Sequence, residues 1–515
     1  QSLLTRLKNV PTDDLNQQDK ISYLILEHKL NEFIESLNHF DWEWNLDQLF
    51  GPHLHWLDIL NYHPLKAKKD FKTLLNRYHQ IPVVMEQYLS DLKDGLKSGR
   101  VAPAIICERI LKQLKSFLNQ KPLKSRFADP LKHFPKNISV SDQRKAGRLR
   151  DILGRSIEKS IFPAYQKFYD FLRNDYRSKA RGTVGIFAIP HGQESYAFRV
   201  RHQTTTDLGP EELHQIGLEE LARNKEEMLK IARKLGHRGD LKNFLEKIKK
   251  DKSNYFKSEK RIMRKHETAL ERMKKILPDY FGTCPKIPFE IKAMEAFRAP
   301  HAPGAYYYPP SEDGEREGIF WLNTYQPTQW PVYSMETLAY HEAIPGHHLQ
   351  IALATEQKGL PKFRRHAGFT AYIEGWAHYA ERLADEMGGY SNELQRVGML
   401  MDQAWRAIRL VVDTGIHYFG WSREKAYQFM KETRTANEME MNNEIDRYIV
   451  WPGQALAYKV GQRTFSELRE FSKKELGEKF DIRKFHDTSL LSGPLPLRTL
   501  RHVVQEWIKN EKGAS

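Results

Sequence analysis

The chain has 515 residues, of which 40% are hydrophobic, so it is long enough to form a large core or two lobes that meet at a cleft. It contains no run of about 18 apolar residues, which excludes a membrane-spanning helix. Cys107 and Cys284 are the only cysteines and allow at most one bridge, which excludes a disulfide scaffold and a Cys-x-x-Cys metal site.

The net charge is +15, from 81 Lys and Arg residues against 66 Asp and Glu residues. Such an excess is compatible with binding to nucleic acid. However, the densest charged region, residues 225–275, mixes both signs at helical spacing, which is typical of a solvated helix face. The sequence also lacks helix-turn-helix and zinc-finger spacings, so we expect no nucleic-acid partner.

Helices are predicted over residues 15–180, because apolar residues recur there every three or four positions. Two short alternations of apolar residues then predict strands at 184–188 and 196–200. This change of pattern divides the chain into a helical N-terminal lobe, residues 1–180, and a second lobe, residues 181–515. We expect the two lobes to form one continuous structural unit.

The second lobe begins with a predicted helix that starts at Pro210 and stops before Gly236. Alternating apolar residues predict a small antiparallel sheet from three strands, 289–295, 304–310 and 318–323. The chain is predicted to be helical almost to its end after the sheet, so the fold class is mainly α. The other helices predicted in this lobe are 241–250, 258–277, one that begins after Ser334, 370–387, 393–419, 422–433, 439–450, 453–476 and 496–510.

One segment of the second lobe carries metal-binding residue types: His341-Glu-Ala-Ile-Pro-Gly-His-His348. A His followed by Glu, with another His one or two turns later, is how zinc peptidases hold a metal and place a base beside it. The standard His-Glu-x-x-His motif would need His at the position of Pro345. In a regular helix, a residue six positions after His341 lies about 120° around the axis and ~9 Å along it, too far to share an ion.

Pro345 and Gly346 offer a solution to this spacing. Proline cannot donate to the helix hydrogen bonds, and glycine tolerates unusual backbone angles, so the pair should open the helix by about two residues. His347 would then take the place of the fourth residue and bind the metal with His341. His348 is the alternative ligand, or a neighbour that contacts the substrate or supports a ligand.

The helix predicted at 370–387 supplies a third ligand. Glu374, His378 and Glu381 lie at i, i+4 and i+7, on one face of this helix. Catalytic zinc sites often take a Glu from a following helix, so Glu374 is the predicted third ligand. His378 would orient a ligand or serve as an alternative ligand. For this helix alone, a surface Glu–His pair is the alternative. Gly375 disfavours a helix by about 1 kcal/mol relative to Ala, which indicates a close packing contact.

The next helix carries Asp413 and His417, again four residues apart. Asp413 follows three apolar residues and is predicted to be buried, and a buried acid needs a partner. It would either accept the free N–H of a zinc-bound histidine or pair with Arg409. The sequence leaves both partners open.

With these segments, the chain resembles the bacterial family called domain of unknown function 885, whose members are predicted zinc metallopeptidases. The resemblance lies in the segment His341–His348, which we call the octet, and in Tyr372–His378, Arg409–His417, Arg447–Tyr458 and Ser492–Leu497. It covers most of the chain. It implies a mainly α-helical fold like that of helical zinc peptidases, which encloses a deep cleft, with a small sheet beside the active helix.

The resemblance also implies a cellular location. Many members of the family look like exported or lipid-anchored proteins, so we expect a periplasmic or membrane-anchored lipoprotein whose leader is absent from this chain. A cytoplasmic protein is the alternative. The substrates of the family are poorly defined, and the sequence does not predict an oligomeric state.

These residues together predict a peptidase that uses one Zn²⁺ ion. His341, His347 and Glu374 would hold the ion, and Glu342 would act as the general base toward water. Three side chains are candidates to donate a hydrogen bond to the oxyanion of the transition state: Tyr458, Tyr448 and His417.

A peptide substrate would also need binding groups. Arg447 or Arg498 would bind a C-terminal carboxylate, which would make the enzyme a carboxypeptidase on short peptides. The alternative is that each arginine forms a buried salt bridge. Tyr306 and Tyr307 lie in a predicted strand that would pair with an extended peptide, unless this is simply a tyrosine-rich core strand.

Two other functions fit the same residues. One is a zinc amidohydrolase that cleaves amides other than peptides, which the motif alone does not distinguish from a peptidase. The other is a metal-binding protein without catalysis, against which the presence of Glu342 argues.

Overall fold

The computed structural model describes residues 1–133, 140–295, 299, 303–313, 315–433 and 437–513. Its contacts separate into two compact units. One contains residues 36–195, and the other contains residues 1–35 together with 196–515. The predicted helical region includes residues 134–139, which lie outside the described part of the chain. The division into two lobes at residue 180 stays a prediction.

The unit of residues 36–195 is helical, as the apolar periodicity predicts. Its longest helix buries a stripe of residues three or four positions apart, which includes Phe71, Leu74 and Tyr78. Cys107 is buried in the next helix, and both cysteines of the chain are free thiols. The helices up to residue 171 are α1 Ser2–Lys8, α2 Gln17–Ser36, α3 Pro52–Tyr62, α4 Lys68–Ser98, α5 Ala104–Leu118, α6 Val140–Ser156 and α7 Phe162–Phe171.

The two strands predicted between residues 184 and 200 are wrong. Ile186–Ala188 form a 3-10 turn, and Gly192–Thr204 form helix α8. Tyr196, Phe198 and Val200 are buried, with half-buried residues between them. Five residues are too few to separate a period of two from the helical period, so this alternation belongs to a buried helix.

Three helices lead to the sheet, close to their predicted bounds: α9 Pro210–Lys234, α10 Leu241–Lys250 and α11 Glu259–Ile276. The strands are β1 Phe289–Ala293, β2 Ala305–Tyr308 and β3 Gly318–Leu322, in the order β1-β3-β2. β2 and β3 are antiparallel, but β1 and β3 are parallel, so the sheet is mixed and not antiparallel throughout as predicted. The connection between β2 and β3 is short and fixes their direction, whereas β1 lies on the other side of β3, where no short connection constrains it.

Helices form the rest of the described chain, which confirms the mainly α fold class. None of the described helices is long and apolar enough to cross a membrane. The helices after the sheet are α12 Met335–Glu342, α13 His347–Glu356, α14 Lys362–Arg365, α15 Thr370–Glu386, α16 Glu393–His417, α17 Arg423–Thr433, α18 Glu438–Val450, α19 Ala457–Leu476, α20 Ile482–Leu490 and α21 Leu497–Gly513. Of these, α15 and α16 are buried over most of their length and form the core.

Candidate metal centre

The octet does not form one continuous helix. α12 ends at Glu342 and α13 begins at His347, so four residues interrupt the helical path. A Cβ atom on Gly346 would lie 2.0 Å from the carbonyl oxygen of His341, so only glycine fits there. The predicted opening of the helix at Pro345 and Gly346 is confirmed.

The interruption brings the predicted ligands together. The ring centroids of His341 and His347 are 4.7 Å apart, and Nε2 of each ring lies 3.7 Å from Oε2 of Glu374. His378, one turn further along α15, also takes part. One ligand atom from each of His341, Glu374 and His378 lies within 4.8 Å of the others, so these residues form a group that could hold a metal ion.

A hydrogen bond to Glu381 determines which ring nitrogen of His341 points toward the metal-binding group. His341 Nδ1 donates to Oε1 of Glu381 at 2.8 Å, because an ionised carboxylate only accepts. Nε2, which lies near Glu374, is therefore the nitrogen of His341 that could hold a metal ion. Burial alone would lower the pKa of His341, but hydrogen bonds to the two carboxylates raise it to about 10. A metal ion at Nε2 would take the place of this proton.

His378 and His347 differ in the hydrogen-bond partners of their ring nitrogens. Arg406 Nε donates to Nε2 of His378 at 3.0 Å, which uses that lone pair. Nδ1 of His378 lies 2.8 Å from Oε1 of Glu381, within ion-pair distance but without the alignment of a hydrogen bond. His347 is also buried, yet its Nδ1 has no hydrogen-bond partner in the described part of the chain. Burial and the neighbouring charge of His341 lower the pKa of His347 to about 4, which keeps the ring neutral, as a metal ligand must be.

Glu342 is the last residue of α12 and directly follows His341. It is buried, and its carboxylate accepts a hydrogen bond from the backbone amide of Tyr307. Burial raises the pKa of Glu342 to about 7, against the opposing charge of His341. A carboxylate with such a pKa can accept and return a proton near neutral pH.

His348 faces the sheet. Its Nδ1 lies 2.8 Å from the hydroxyl oxygen of Tyr307, and its ring centroid is 4.5 Å from that of Phe289. Of the two histidines that begin α13, His347 is therefore the one that approaches Glu374.

β2 runs beside this group at the edge of the sheet. Tyr307 contacts Glu342 through its amide and His348 through its hydroxyl. Tyr306 is half-buried, and its ring centroid lies 6.4 Å from that of Trp321. The predicted strand therefore reaches the predicted base through its backbone.

A cluster of two arginines, one glutamate and two tyrosines lies beside His378. We call it the arginine cluster, and its members are Arg409, Glu444, Arg447, Tyr448 and Tyr458. The ring centroid of Tyr458 is 5.7 Å from that of His378, and its hydroxyl accepts from Nη2 of Arg447 at 2.9 Å. Glu444 binds both guanidinium groups, at 2.9 Å from Arg409 and 3.0 Å from Arg447.

The remaining predicted donors and the second arginine have other contacts. Tyr448 is buried and donates its hydroxyl proton to Glu444 at 2.8 Å. His417 is buried and donates from Nε2 to the carbonyl oxygen of Tyr448 at 2.9 Å. Arg498 is half-exposed, pairs with Asp207 and lines a separate cavity. The structure thus brings Tyr448 into the arginine cluster and leaves Arg498 outside it.

Asp413 is buried as predicted, but its partners are not the expected ones. Its carboxylate accepts hydrogen bonds from the hydroxyl of Tyr196 at 2.7 Å and from the amide of Gly453 at 3.0 Å. In the described chain, neither Arg409 nor a ligand histidine is among its hydrogen-bond partners. Both observed partners lie far away in the sequence, where no local pattern shows them.

Glu381 contacts two histidines of the metal-binding group, but the sequence assigns it no role. Besides His341, it accepts a hydrogen bond from Gln403 at 2.8 Å, and Gln403 in turn accepts one from Lys459 at 2.9 Å. The available signal is its position seven residues after Glu374, on the same face of α15. Its partners come from α12, α16 and α19, so its role depends on tertiary structure.

A cavity of about 360 Å³ lies beside α12, and the described residues that line it do not include Glu342 or a member of the metal-binding group. Its lining includes Leu338, one turn before Glu342 on α12, and Asp402, which pairs with Arg406.

Solved structures share this fold. The crystal structure of the putative lipoprotein from Colwellia psychrerythraea has a TM-score of 0.90 at 28% identity, over 99% of this chain and 89% of that chain. A putative lipoprotein of unknown function from Shewanella oneidensis has a TM-score of 0.74 at 19% identity, over 98% of this chain and 90% of that chain. No protein with a curated description matches. The family described as "Bacterial protein of unknown function (DUF885)" matches residues 1–504, and the chain belongs to this family.

Proposed function

We propose that the protein is a zinc-dependent peptidase. The observation that carries the proposal is the approach of His341 Nε2 and His347 Nε2 to one carboxylate oxygen of Glu374. Two histidines and one glutamate are a known ligand set of catalytic zinc sites, which leave one position for water. Glu342, buried and next to the first ligand, has the position of a general base.

The proposed ligands include His347 rather than His378. The Nε2 lone pair of His378 is used by Arg406, whereas Nε2 of His347 lies 3.7 Å from Oε2 of Glu374. His378 then supports Glu381, which orients His341. Two imidazole ligands favour zinc over Mg²⁺ or Ca²⁺, which prefer oxygen ligands.

When bound, zinc would supply a Lewis acid that activates water and polarises the scissile carbonyl group. Glu342 accepts the proton that the water loses and returns it to the leaving amine. Tyr458 donates a hydrogen bond to the oxyanion, because its oxygen already accepts from Arg447 and its own proton is available. Tyr448 and His417 are less suited, since their protons already go to Glu444 and to a backbone carbonyl.

A peptide is the proposed substrate because a strand edge lies beside the base. In the described sheet β2 pairs only with β3, and Tyr307 of β2 donates its amide to Glu342. An extended peptide can add to such an edge through main-chain hydrogen bonds. A zinc amidohydrolase for other amides has no need of this edge, and a metal-binding protein without catalysis has no need of a buried Glu342.

The two similar structures support the expected location outside the cytoplasm, since both are named putative lipoproteins. Fractionation of the host cells decides between a periplasmic or membrane-anchored protein and a cytoplasmic one.

The substitution Glu342→Gln tests the proposed base. It keeps the shape of the side chain but removes its ability to accept a proton, so we expect hydrolysis of a peptide library to fall at least about 100-fold. Zinc content, measured by elemental analysis, should stay unchanged. The substitution His341→Ala removes a ligand and should abolish both zinc binding and hydrolysis.

Glu386→Gln is the matched control. Glu386 lies on α15, is half-exposed and pairs with Arg469, so this variant should keep both zinc and activity. If Glu342→Gln cleaves peptides as fast as the parent, Glu342 is not the base. If the parent protein binds no zinc, the metal proposal itself is wrong.

A further inference from the structure

We propose that Arg409 and Arg447 bind the free carboxylate at the C-terminus of a peptide substrate. The inference rests on the proposed peptidase function and names the end of the substrate that the site holds. The sequence predicts such a role for Arg447, and the structure adds Arg409.

Arg409 has two buried nitrogens, Nε and Nη1, whose N–H groups lack an acceptor in the described chain. Its side chain is 8% exposed, and its Nη2 donates to Glu444 at 2.9 Å. Its Nε and Nη1 have no hydrogen-bond partner in the described part of the chain. Leaving a buried donor unpaired costs free energy, so these groups are suited to an acceptor that a ligand supplies.

The charges around Arg409 match one anionic group. Glu444 is the one carboxylate that binds both Arg409 and Arg447, so these three side chains have a net charge of +1. Nε of Arg447 also lacks a partner in the described chain. Arg406, the nearest further arginine on α16, is neutralised by Asp402 at 2.9 Å. A planar carboxylate carries one negative charge and fits the parallel N–H groups of a guanidinium.

The unpaired donors lie one side chain away from the metal-binding group. The ring centroid of Tyr458 is 4.4 Å from the guanidinium carbon of Arg409 and 5.7 Å from the ring centroid of His378. The ring of His378 in turn lies 4.6 Å from that of His341. The side chain of Arg447 is 17% exposed and Tyr458 is half-buried, so these two residues are where the arginine cluster meets solvent.

The arginine cluster indicates a substrate class, peptides with a free C-terminal carboxylate. A peptide whose terminal carboxylate meets Arg409 and Arg447 presents a bond near its C-terminus to Glu342. The activity is therefore that of a carboxypeptidase, and a substrate with an amidated C-terminus lacks the charge that the arginine cluster recognises.

Binding to a protein that cannot turn over tests the inference directly. The zinc-loaded Glu342→Gln variant is titrated by calorimetry with an N-acetylated tetrapeptide, either as the free acid or as the C-terminal amide. We expect the acid to bind about 10- to 100-fold more tightly, as is typical of hydrogen bonds to charged groups. Equal affinities, or no measurable binding of either peptide, overturn the inference.

A second substitution in the Glu342→Gln variant shows which residues cause the preference for the free acid. Arg409→Gln or Arg447→Gln should remove most of the preference for the acid. Arg396→Gln is the matched control, because Arg396 is also an ion-paired arginine of α16 but binds Asp385 and Glu393. If Arg409→Gln does not fold, the Arg447→Gln variant and the comparison of acid with amide still decide. A preference that survives both cluster substitutions places the carboxylate elsewhere.

Hydrolysis by the parent enzyme separates this inference from the proposed function. If the parent cleaves acid and amide equally well, the peptidase proposal stands and the carboxylate site is wrong. If the parent cleaves neither peptide although the Glu342→Gln variant prefers the acid, the carboxylate site stands and the peptidase proposal is wrong.

Discussion

A single buried carboxylate, Glu381, organises the histidines of the candidate metal centre. It accepts from His341 Nδ1 and from Gln403, and it lies 2.8 Å from His378 Nδ1. Burial raises its pKa, but electrostatic attraction to His378 and the hydrogen bond from His341 lower it well below the usual range, so Glu381 is ionised. Lys459 donates to the amide oxygen of Gln403, which leaves the amide nitrogen to face Glu381.

The substitution Glu381→Gln should weaken zinc binding. A glutamine can donate to Nδ1 of His341 as well as accept from it, so the ring is no longer held with its free lone pair at Nε2. Loss of such a partner typically lowers metal affinity about 10- to 100-fold. Competition with a chromophoric chelator measures this change.

The control for this prediction is again Glu386→Gln, five residues further along α15 and half-exposed. An unchanged zinc affinity in Glu381→Gln, with the same folding stability, would show that Glu381 does not determine the tautomer of His341.

The approach of His341 and His347 to Glu374 could be predicted from the sequence because its signal is local. The octet and Glu374 are recognisable from residue type and spacing, and Pro345 with Gly346 predicts the interruption between them. The partners of Asp413 could not be predicted in this way. Tyr196 and Gly453 meet it only after α8, α16 and the turn before α19 have packed together.

At the scale of helices, α15 and α19 pack so closely that their contact leaves no space for a Cβ atom at two glycines. A Cβ atom on Gly375 would lie 2.4 Å from Cα of Gly461, and one on Gly461 would lie 1.8 Å from the carbonyl oxygen of Ala371. The predicted close packing at Gly375 is thus confirmed. Since α15 carries Glu374 and α19 carries Tyr458, this contact sets the separation of the proposed ligand and the proposed oxyanion donor.

The substitution Gly375→Ala should destabilise the fold. Alanine favours a helix by about 1 kcal/mol over glycine, but its methyl group would push the two helices apart. We expect the free energy of unfolding, measured with urea, to fall by about 1–3 kcal/mol, as is typical of overpacking.

Gly368→Ala is the control, because a Cβ atom at Gly368, just before α15, meets no atom within 4 Å. It should leave the stability nearly unchanged. A Gly375→Ala variant as stable as this control would mean that α15 and α19 can move apart without a loss in the free energy of unfolding.

At the scale of elements, most helices of the second lobe were predictable because they have a long apolar period and clear end signals, such as Pro210 at the start of α9. The short helices α14 and α20 were not predicted. The direction of β1 was not predictable, since it depends on a pairing with β3 that the sequence between them does not constrain. Residues 196–200 show the remaining difficulty, because a short buried stretch of helix can alternate like a strand.

At the scale of the whole molecule, Asp413 links distant parts of the chain and makes their stability depend on pH. Burial raises its pKa to about 7, although Tyr196 and Gly453 donate to it and lower the pKa in part. An acid with a raised pKa binds its proton more tightly in the folded state. Its contribution is therefore fully present below about pH 4 and is lost as the pH rises to about 7.

The substitution Asp413→Asn tests this linkage. Asparagine is neutral at every pH, so the variant should gain stability relative to the parent as the pH rises from 5 to 7, by up to about 1.4 kcal/mol for each pH unit. Urea unfolding of both proteins at several pH values measures the difference. A difference that does not change with pH would mean that Asp413 is ionised throughout.

The edge position of β2 has one more consequence, for solubility. An open strand edge exposes unpaired amide and carbonyl groups. Strands of other proteins can pair with these groups, which leads to aggregation. β2 limits this risk because it has only four residues, and the amide of Tyr307 is already used by Glu342. Such an edge is long enough for a few residues of a flexible peptide and too short to template a stable intermolecular sheet.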